Sequence, residues 1–237
     1  MKTTAILLLL LAFATGLRSQ TASEICLQEV QVAFQQIDKQ QLQQQERPTT
    51  ITYQHTYTMR TDPEKATVSA TKSRTYATNF FHYDAPDVME ISDGKEAFNV
   101  RKYQYVIYRT GSTLAKSHFI PLLDPGVFEH CTVRECRFVP VPGNDTLSHK
   151  FARMTVDEAG QKKYQVAEMA FLTNPFDTTL ISIDVQFTGR SLYTEGRYEI
   201  KEVGTGTSIP ASAAAAILDE SGALKAEYKG FSLKDYR

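Results

Sequence analysis

Apolar residues follow a helical period after the first twenty residues of the chain. Between residues 21 and 39, apolar side chains recur at steps of three and four, at Leu27, Val30, Phe34 and Ile37. Such a stripe predicts an amphipathic helix with one buried face. Thr21 and Glu24 have the spacing of a capping box, so the helix is expected to begin at Thr21.

From residue 49 the apolar period changes to two. In the stretch TTITYQHTYTM, aromatic or apolar side chains alternate with Thr and Gln, which is the pattern of a half-buried strand. The residues predicted to face inward are Ile51, Tyr53, Tyr57 and Met59. His55 shares that face, and we expect it to be a packed or hydrogen-bonded residue of the wall, not a ligand or a base.

Further strand-like stretches recur about every 10 to 12 residues and are separated by turn signals. Asp93-Gly94 between two apolar runs is a strong hairpin signal. This spacing predicts a meandering antiparallel sheet. The stretch RKYQYVIYR, residues 101–109, is apolar on both faces and predicts a strand covered on both sides. An Ala-rich segment with Pro210 in its first turn predicts a short late helix.

One apolar segment, TGSTLAKSHFIPLLDPG, interrupts the strand pattern. It contains Pro121 and Pro125, and proline stops a regular helix from continuing. We interpret it as a short, broken lid over the mouth of the sheet. Its apolar residues are Leu114, Phe119, Ile120, Leu122 and Leu123.

The first residues have the features of a secretory signal. Lys2 precedes an apolar run from Ala5 to Ala14, which is shorter than the roughly 20 apolar residues that span a bilayer. We therefore predict a cleaved signal peptide over residues 1–19 and a single domain over residues 20–237.

Charge argues against nucleic acid as a partner. The chain has 26 basic and 27 acidic residues, a formal charge of −1, and removing Lys2 and Arg18 with the signal gives −1 − 2 = −3. Without a basic excess, the protein has little means of neutralising phosphates.

The three cysteines allow at most one intramolecular bridge. Cys131 and Cys136 are a candidate pair only if residues 132–135 turn. In an extended strand they would lie about 16 Å apart at roughly 3.3 Å per residue, beyond disulfide reach. Cys26 with either of them is the alternative.

No catalytic or cofactor motif is present in the sequence. It contains no G-x-S-x-G, H-E-x-x-H, C-x-x-C or phosphate-binding glycine loop. The densest cluster of possible metal ligands has no common zinc spacing; it comprises His118, His130, Cys131, Glu135 and Cys136. We therefore expect no catalytic residue, no metal and no cofactor.

Apolar and aromatic residues are abundant enough to line a binding cavity, which is typically apolar with few polar groups. The candidates are Ile51, Tyr53, Tyr57, Met59, Phe81, Tyr83, Phe98, Tyr103 and Tyr105. The alternative interpretation is that these residues only pack a core.

The segment VMEISDGKEAFNV resembles the part of the periplasmic outer-membrane lipoprotein carrier (LolA-like) superfamily in which a turn of this kind links two strands. The order of predicted elements also resembles that superfamily, beginning with the helix LQEVQVAFQQI. The resemblance implies an α+β fold, with a curved antiparallel sheet, or open half-barrel, covered by an N-terminal amphipathic helix and short lid helices. Arg60 and Arg74 both compete for the position of the family's strand arginine.

The resemblance also implies a function. The expected protein is a monomeric, non-catalytic periplasmic carrier that holds acyl chains of lipoproteins or other amphipathic lipid in its apolar concave face. It would deliver this cargo to the outer membrane with membrane-associated donor and acceptor proteins. The alternative is a secreted β-rich protein-interaction module without a lipid cavity, and an unrecognised hydrolase comes third.

Overall fold

The computed structural model describes residues 21–37, 47–60, 67–111 and 125–237. Its strands are β1 (Thr49–Met59), β2 (Thr67–Ala77), β3 (Phe80–Asp84), β4 (Val88–Ser92), β5 (Glu96–Arg101), β6 (Val106–Gly111), β7 (Cys131–Val141), β8 (Asn144–Val156), β9 (Val166–Thr173), β10 (Leu180–Phe187), β11 (Tyr193–Thr205) and β12 (Ser232–Asp235). The described α-helices are α1 (Ala22–Gln35), α2 (Glu158–Tyr164) and α3 (Ala213–Ile217). Short 3-10 helices lie at Lys102–Gln104, Pro125–His130 and Ala226–Tyr228.

All twelve strands belong to one curved, unclosed sheet in the order β12-β6-β5-β4-β3-β2-β1-β11-β10-β9-β8-β7. The pairings are antiparallel, except that β12 runs parallel to β6. The predicted α+β open half-barrel is confirmed. The prediction of a purely antiparallel sheet is wrong at this last strand, because β12 is joined to β6 by a long connection and not by a hairpin, and such a connection allows parallel pairing.

Helix α1 begins as its sequence predicts. The Thr21 side chain accepts a hydrogen bond from the Glu24 backbone N–H at 3.2 Å, and the Thr21 N–H donates to the Glu24 carboxylate at 2.7 Å. This reciprocal pair is the capping box. The helix ends at Gln35, and residues 38–46 lie outside the described part of the chain.

The Asp93-Gly94 hairpin between β4 and β5 is also confirmed. Gly94 has a φ of +82°, a conformation that suits a residue without Cβ. The Asp93 carboxylate accepts hydrogen bonds from the backbone N–H groups of Lys95 and Glu96. Its second oxygen accepts from the N–H of Ala213, so the same side chain also fixes the start of α3. Pro210 precedes that helix and does not lie in its first turn, because Ser212 is the capping residue.

Two separate hydrophobic clusters bury opposite faces of the sheet. The first lies on the face that carries Ile51 and Tyr53, which we call the inner face, where α1 packs against β7, β8 and β9 together with the 3-10 helix Pro125–His130. The second lies on the outer face of β3 to β6, under α3 and the chain that follows it. Adjacent residues Phe80 and Phe81 belong to different clusters, since successive strand residues point to opposite faces.

The apolar stripe of α1 is buried in the first cluster, as predicted. Val30, Phe34 and Ile37 are buried, while Leu27 is partly buried at the margin. Phe34 contacts Phe128 edge-to-face at 5.1 Å between ring centroids.

The predicted disulfide candidate Cys131–Cys136 is wrong, and the bridge joins Cys26 to Cys136. Both Cys131 and Cys136 belong to the extended strand β7, so they cannot approach each other. Cys26 is buried in α1, and the bridge therefore ties that helix to β7 across 110 residues of sequence. Cys131 keeps a free thiol.

We expect Phe34→Ala to lower the free energy of unfolding by about 3–5 kcal/mol, because a fully buried ring leaves a cavity. Urea denaturation provides the measurement. Phe176→Ala is the matched control, since Phe176 is 82% exposed and its loss should change stability by less than about 0.5 kcal/mol. A loss below about 1 kcal/mol for Phe34→Ala would show that α1 is peripheral.

We expect Cys136→Ala to lower the free energy of unfolding by about 2–5 kcal/mol, because the bridge restricts a long loop of the unfolded chain. Cys131→Ala is the control and should retain the bridge. Peptide mapping under non-reducing conditions should find Cys26 linked to Cys136. A Cys131–Cys136 peptide in that map would contradict the structure.

The basic and aromatic inner face as the candidate functional site

The inner face of β1 begins buried and becomes more open along the strand. Ile51, Tyr53 and His55 are buried, and the intervening Thr52 and Gln54 are half-buried on the other face. The predicted alternation is therefore confirmed for the first half of β1. Beyond His55, the inward-facing Tyr57 and Met59 are only half-buried, because helix α1 packs mainly on β7 to β9 at the far side of the sheet.

Aromatic rings continue this face across β1 and β11. His55 stacks on Tyr198 at 4.3 Å between centroids, and Tyr57 contacts Tyr193 edge-to-face at 5.1 Å. Phe187, at the end of β10, lies 5.8 Å from Tyr193. Aromatic packing of this kind presents a wide surface that is apolar but carries hydroxyl groups at its edges.

Two basic side chains of β2 reach into the same face. The register pairs Lys72 with Tyr53, and Arg74 with Ile51, so both point inward. The Arg74 guanidinium lies 5.7 Å from the centroid of the Tyr53 ring and 5.3 Å from that of Tyr83. Both distances allow cation–π attraction.

Lys72 is hydrogen-bonded to His55 on this face. Its Nζ lies 3.0 Å from Nδ1 of His55. An ammonium group can only donate, so Nδ1 is the acceptor and the ring proton lies on Nε2. Burial, and then the charges of Lys72 and Arg74, lower the pKa of His55 to about 3. Burial and the charge of Arg74 also lower the pKa of Lys72.

The structure brings together six of the nine predicted cavity residues. Ile51, Tyr53 and Phe81 are buried in the inner cluster, Tyr83 is half-buried against it, and Tyr57 and Met59 are half-buried farther along β1. Whether these six contact a cargo remains a prediction.

The other three predicted cavity residues lie elsewhere. Phe98 is fully buried, but in the second cluster on the outer face. Tyr103 is 76% exposed and Tyr105 61% exposed, since the chain leaves the strand at Arg101 for a 3-10 turn and Tyr105 adopts a left-handed conformation. The expectation that residues 101–109 form one strand covered on both sides is wrong for the same reason.

The predicted lid residues Leu114, Phe119, Ile120, Leu122 and Leu123 lie outside the described residues. The two arginines that competed for the strand position differ clearly in environment. Arg74 is 6% exposed on the inner face. Arg60 is exposed at the end of β1 and donates to the backbone carbonyls of Thr188, Ser191 and Tyr193.

The sequence cluster of possible metal ligands is dispersed by the fold. Cys136 is in the disulfide, and His130 faces Asp157 at 3.0 Å. Within the described ranges, no group of three or more His, Cys, Asp or Glu side chains is arranged to hold a metal ion.

Sequence reasoning did not select Lys72, Phe187, Tyr193 or Tyr198 as site residues. For Lys72 a signal was present, because Lys72, Arg74 and Tyr76 alternate with small polar residues in TKSRTY. An alternating strand with basic residues on its apolar side indicates a functional face. The residues of β10 and β11 join the site only through long-range strand pairing, which local patterns do not reveal.

The opposite, outer face has a groove of ≈ 390 Å³. Four of its charged residues form two pairs, Arg197 with Asp184 at 3.3 Å and Arg153 with Glu168 at 3.4 Å, and its Glu195 accepts a hydrogen bond from Thr58. Paired, exposed charges of this kind have little need of a ligand. The inner face is therefore the stronger candidate site.

We expect the stability of the protein to depend on pH through His55. Its pKa lies near 3 in the folded protein and near 6.5 in the unfolded chain. The unfolded state therefore binds the extra proton first, and stability falls as the pH drops below about 6.5, by about 1.4 kcal/mol per pH unit until the folded-state pKa is reached.

His55→Gln should remove this dependence, since glutamine can still accept from Lys72 but does not titrate. Urea unfolding of both proteins between pH 7.5 and 4.5 tests this expectation. The difference in unfolding free energy should shrink as the pH falls, while carboxylates common to both proteins cancel. A constant difference across this range would show that His55 titrates normally.

Comparison with solved structures finds proteins that are similar to this chain over most of its length. No family model and no curated protein matches the sequence. An uncharacterized conserved protein from Thermus thermophilus has a TM-score of 0.42 at 7% identity, over 91% of this chain and 100% of that one. A putative outer membrane lipoprotein-sorting protein domain from Vibrio parahaemolyticus has a TM-score of 0.36 at 5% identity, over 80% and 95%. A LolA superfamily protein from Nitrosomonas europaea has a TM-score of 0.32 at 5% identity, over 81% and 96%.

Proposed function

We propose that this chain is a non-catalytic carrier that binds an acyl chain, or a similar apolar cargo, on the inner face of its curved sheet. The observation that carries the proposal is the half-buried row of Tyr57, Met59, Tyr83, Phe187 and Tyr193. Tyr83 and Phe187 pack against the inner hydrophobic cluster, and Tyr193 contacts both Phe187 and Tyr57. A partly exposed apolar and aromatic surface of this kind is typical of a binding site.

A carrier role suits the chemistry of the face better than catalysis does. His55 is the residue most suited to act as a base, but its pKa of about 3 makes it a weak one at neutral pH. Its ring is held between Tyr198 and Tyr57, and its Nδ1 is occupied by Lys72. In the described structure no serine or cysteine is hydrogen-bonded to it, so it activates no nucleophile there.

An extracytoplasmic location is part of the proposal. The Cys26–Cys136 disulfide supports it, because such bridges form and persist in oxidising compartments such as the periplasm. The predicted signal peptide supports it as well. None of the described helices is both long enough and apolar enough to cross a bilayer. In this proposal the carrier delivers its cargo to the outer membrane, with donor and acceptor proteins at the two membranes.

We expect the protein to take up an environment-sensitive fluorescent fatty acid, and Tyr57→Asp to weaken that uptake at least about tenfold. The substitution places a charge on the apolar path, where leaving it unpaired is costly. Tyr103→Asp is the matched control and should bind as the wild type does, since Tyr103 is exposed in the 3-10 helix that follows β5.

Two outcomes would contradict the proposal. If the folded wild-type protein does not take up the probe, the chain is better described as an interaction module whose rings form only a core. If Tyr57→Asp and Tyr103→Asp weaken binding equally, the probe does not bind on the inner face. A mass spectrum of lipids extracted from protein purified from its native host then identifies the natural cargo.

A further inference from the structure

The inner face contains positive charge that the described protein does not neutralise. Arg74 is more than nine-tenths buried, and its guanidinium keeps its charge at all physiological pH values. It forms no salt bridge with any described carboxylate. Its Nε–H has no hydrogen-bond partner, and the same is true of the buried hydroxyl of Tyr53, whose ring it faces.

The second charge lies beside the first. Lys72 lies two residues before Arg74 on the same face of β2. It is therefore one inward-facing position closer to the open end of the face. Its ammonium donates to His55 and lies 5.7 Å from the centroid of the Tyr57 ring. Lys72 is half-buried, so the cluster can be reached from the open side of the face.

The nearby carboxylates do not remove this excess. The charge of Asp87 raises the pKa of Lys72, but its effect is smaller than the lowering by burial and by Arg74. Asp87 is exposed in the turn between β3 and β4. Glu90 shares the inner face, but the register places it beyond Tyr83, two strands from Arg74, at about 9–10 Å between backbones. Tyrosine faces attract the cations but supply no compensating charge.

Buried charges are usually paired, because an unpaired charge loses its hydration and gains no ion pair or hydrogen bond in exchange. A ligand with anionic oxygens would accept from Arg74 Nε, from the Tyr53 hydroxyl and from Lys72, and would supply the missing charge. Resting on the proposed carrier function, we propose that Arg74, Lys72 and Tyr53 bind the carboxylate or phosphate head of an amphiphile. Its hydrocarbon chain then lies along Tyr57, Tyr193 and Phe187 toward the open end.

This orientation narrows the class of cargo. The head enters first and lies on the buried side of the chain, so it must be small. Fatty acids and alkyl phosphates satisfy that condition. An acylated protein, whose bulky part would have to stay outside, would leave the charges of Arg74 and Lys72 without a partner.

Displacement of the fluorescent fatty acid by matched competitors tests the proposal. At pH 8 the wild-type protein should bind dodecanoate and dodecyl phosphate at least about tenfold more tightly than dodecan-1-ol, which has the same chain and no charge. In Arg74→Gln and in Lys72→Gln this preference should fall to less than about threefold, with the binding of dodecan-1-ol little changed. Arg197→Gln is the matched control, because it removes one charge from the outer face and should retain the preference.

The other possible outcomes show whether the head-group site, the carrier function or both are wrong. Equal binding of dodecanoate and dodecan-1-ol by the wild type would overturn the head-group site and leave the carrier intact. Binding of neither would overturn both. Inorganic phosphate that binds as tightly as dodecyl phosphate would overturn the amphiphile as the ligand. If circular dichroism shows that Arg74→Gln does not fold, Lys72→Gln decides the matter, and an unchanged preference in that variant overturns the proposal.

Discussion

The architecture depends on a reversal of the buried face within a single continuous sheet. At β2 and β3 the pairs Tyr76–Ala77 and Phe80–Phe81 place neighbouring residues in different hydrophobic clusters. On one side of this point the inner face is covered by α1, and on the other the outer face is covered by α3. A strand buries both of its faces only where both are covered, so β2 and β3 are where the two cores meet.

This reversal explains the composition of the inner face. Beyond β3 the apolar residues face α3 on the outer side of the sheet. The inner face there carries polar residues such as Glu90, Ser92 and Asn99. Between this polar region and the core under α1 lie the rings of Tyr53, Tyr57 and Tyr83. Lys72 and Arg74 lie at that boundary, where an amphiphile meets apolar and charged groups side by side.

The elements that depend on local sequence were predictable. The capping box, the stripe of α1, the start of β1 and the Asp93-Gly94 turn each follow from a few neighbouring residues. The sequence could not reveal the disulfide partner of Cys136, the outward direction of Phe98 or the rings that β11 contributes, because these depend on which distant strands pair. For Phe98 the pattern was ambiguous in itself: an apolar residue in a strand is equally suited to either core until the register is known.

The position of α1 decides whether the basic and aromatic surface stays accessible. The apolar stripe of α1 alone would allow the helix to pack anywhere on the inner face, including over Tyr57 and Tyr193. The Cys26–Cys136 bridge ties the helix to β7, the edge strand farthest from β12 in the sheet order. A helix is about 10 Å wide and strands lie about 4.8 Å apart, so α1 covers two or three strands at that edge. Four strands separate β1 from β7, so the open end of β1 lies beyond the reach of the helix. The covalent constraint at one edge of the sheet therefore keeps α1 from covering the part of the inner face around Tyr57 and Tyr193.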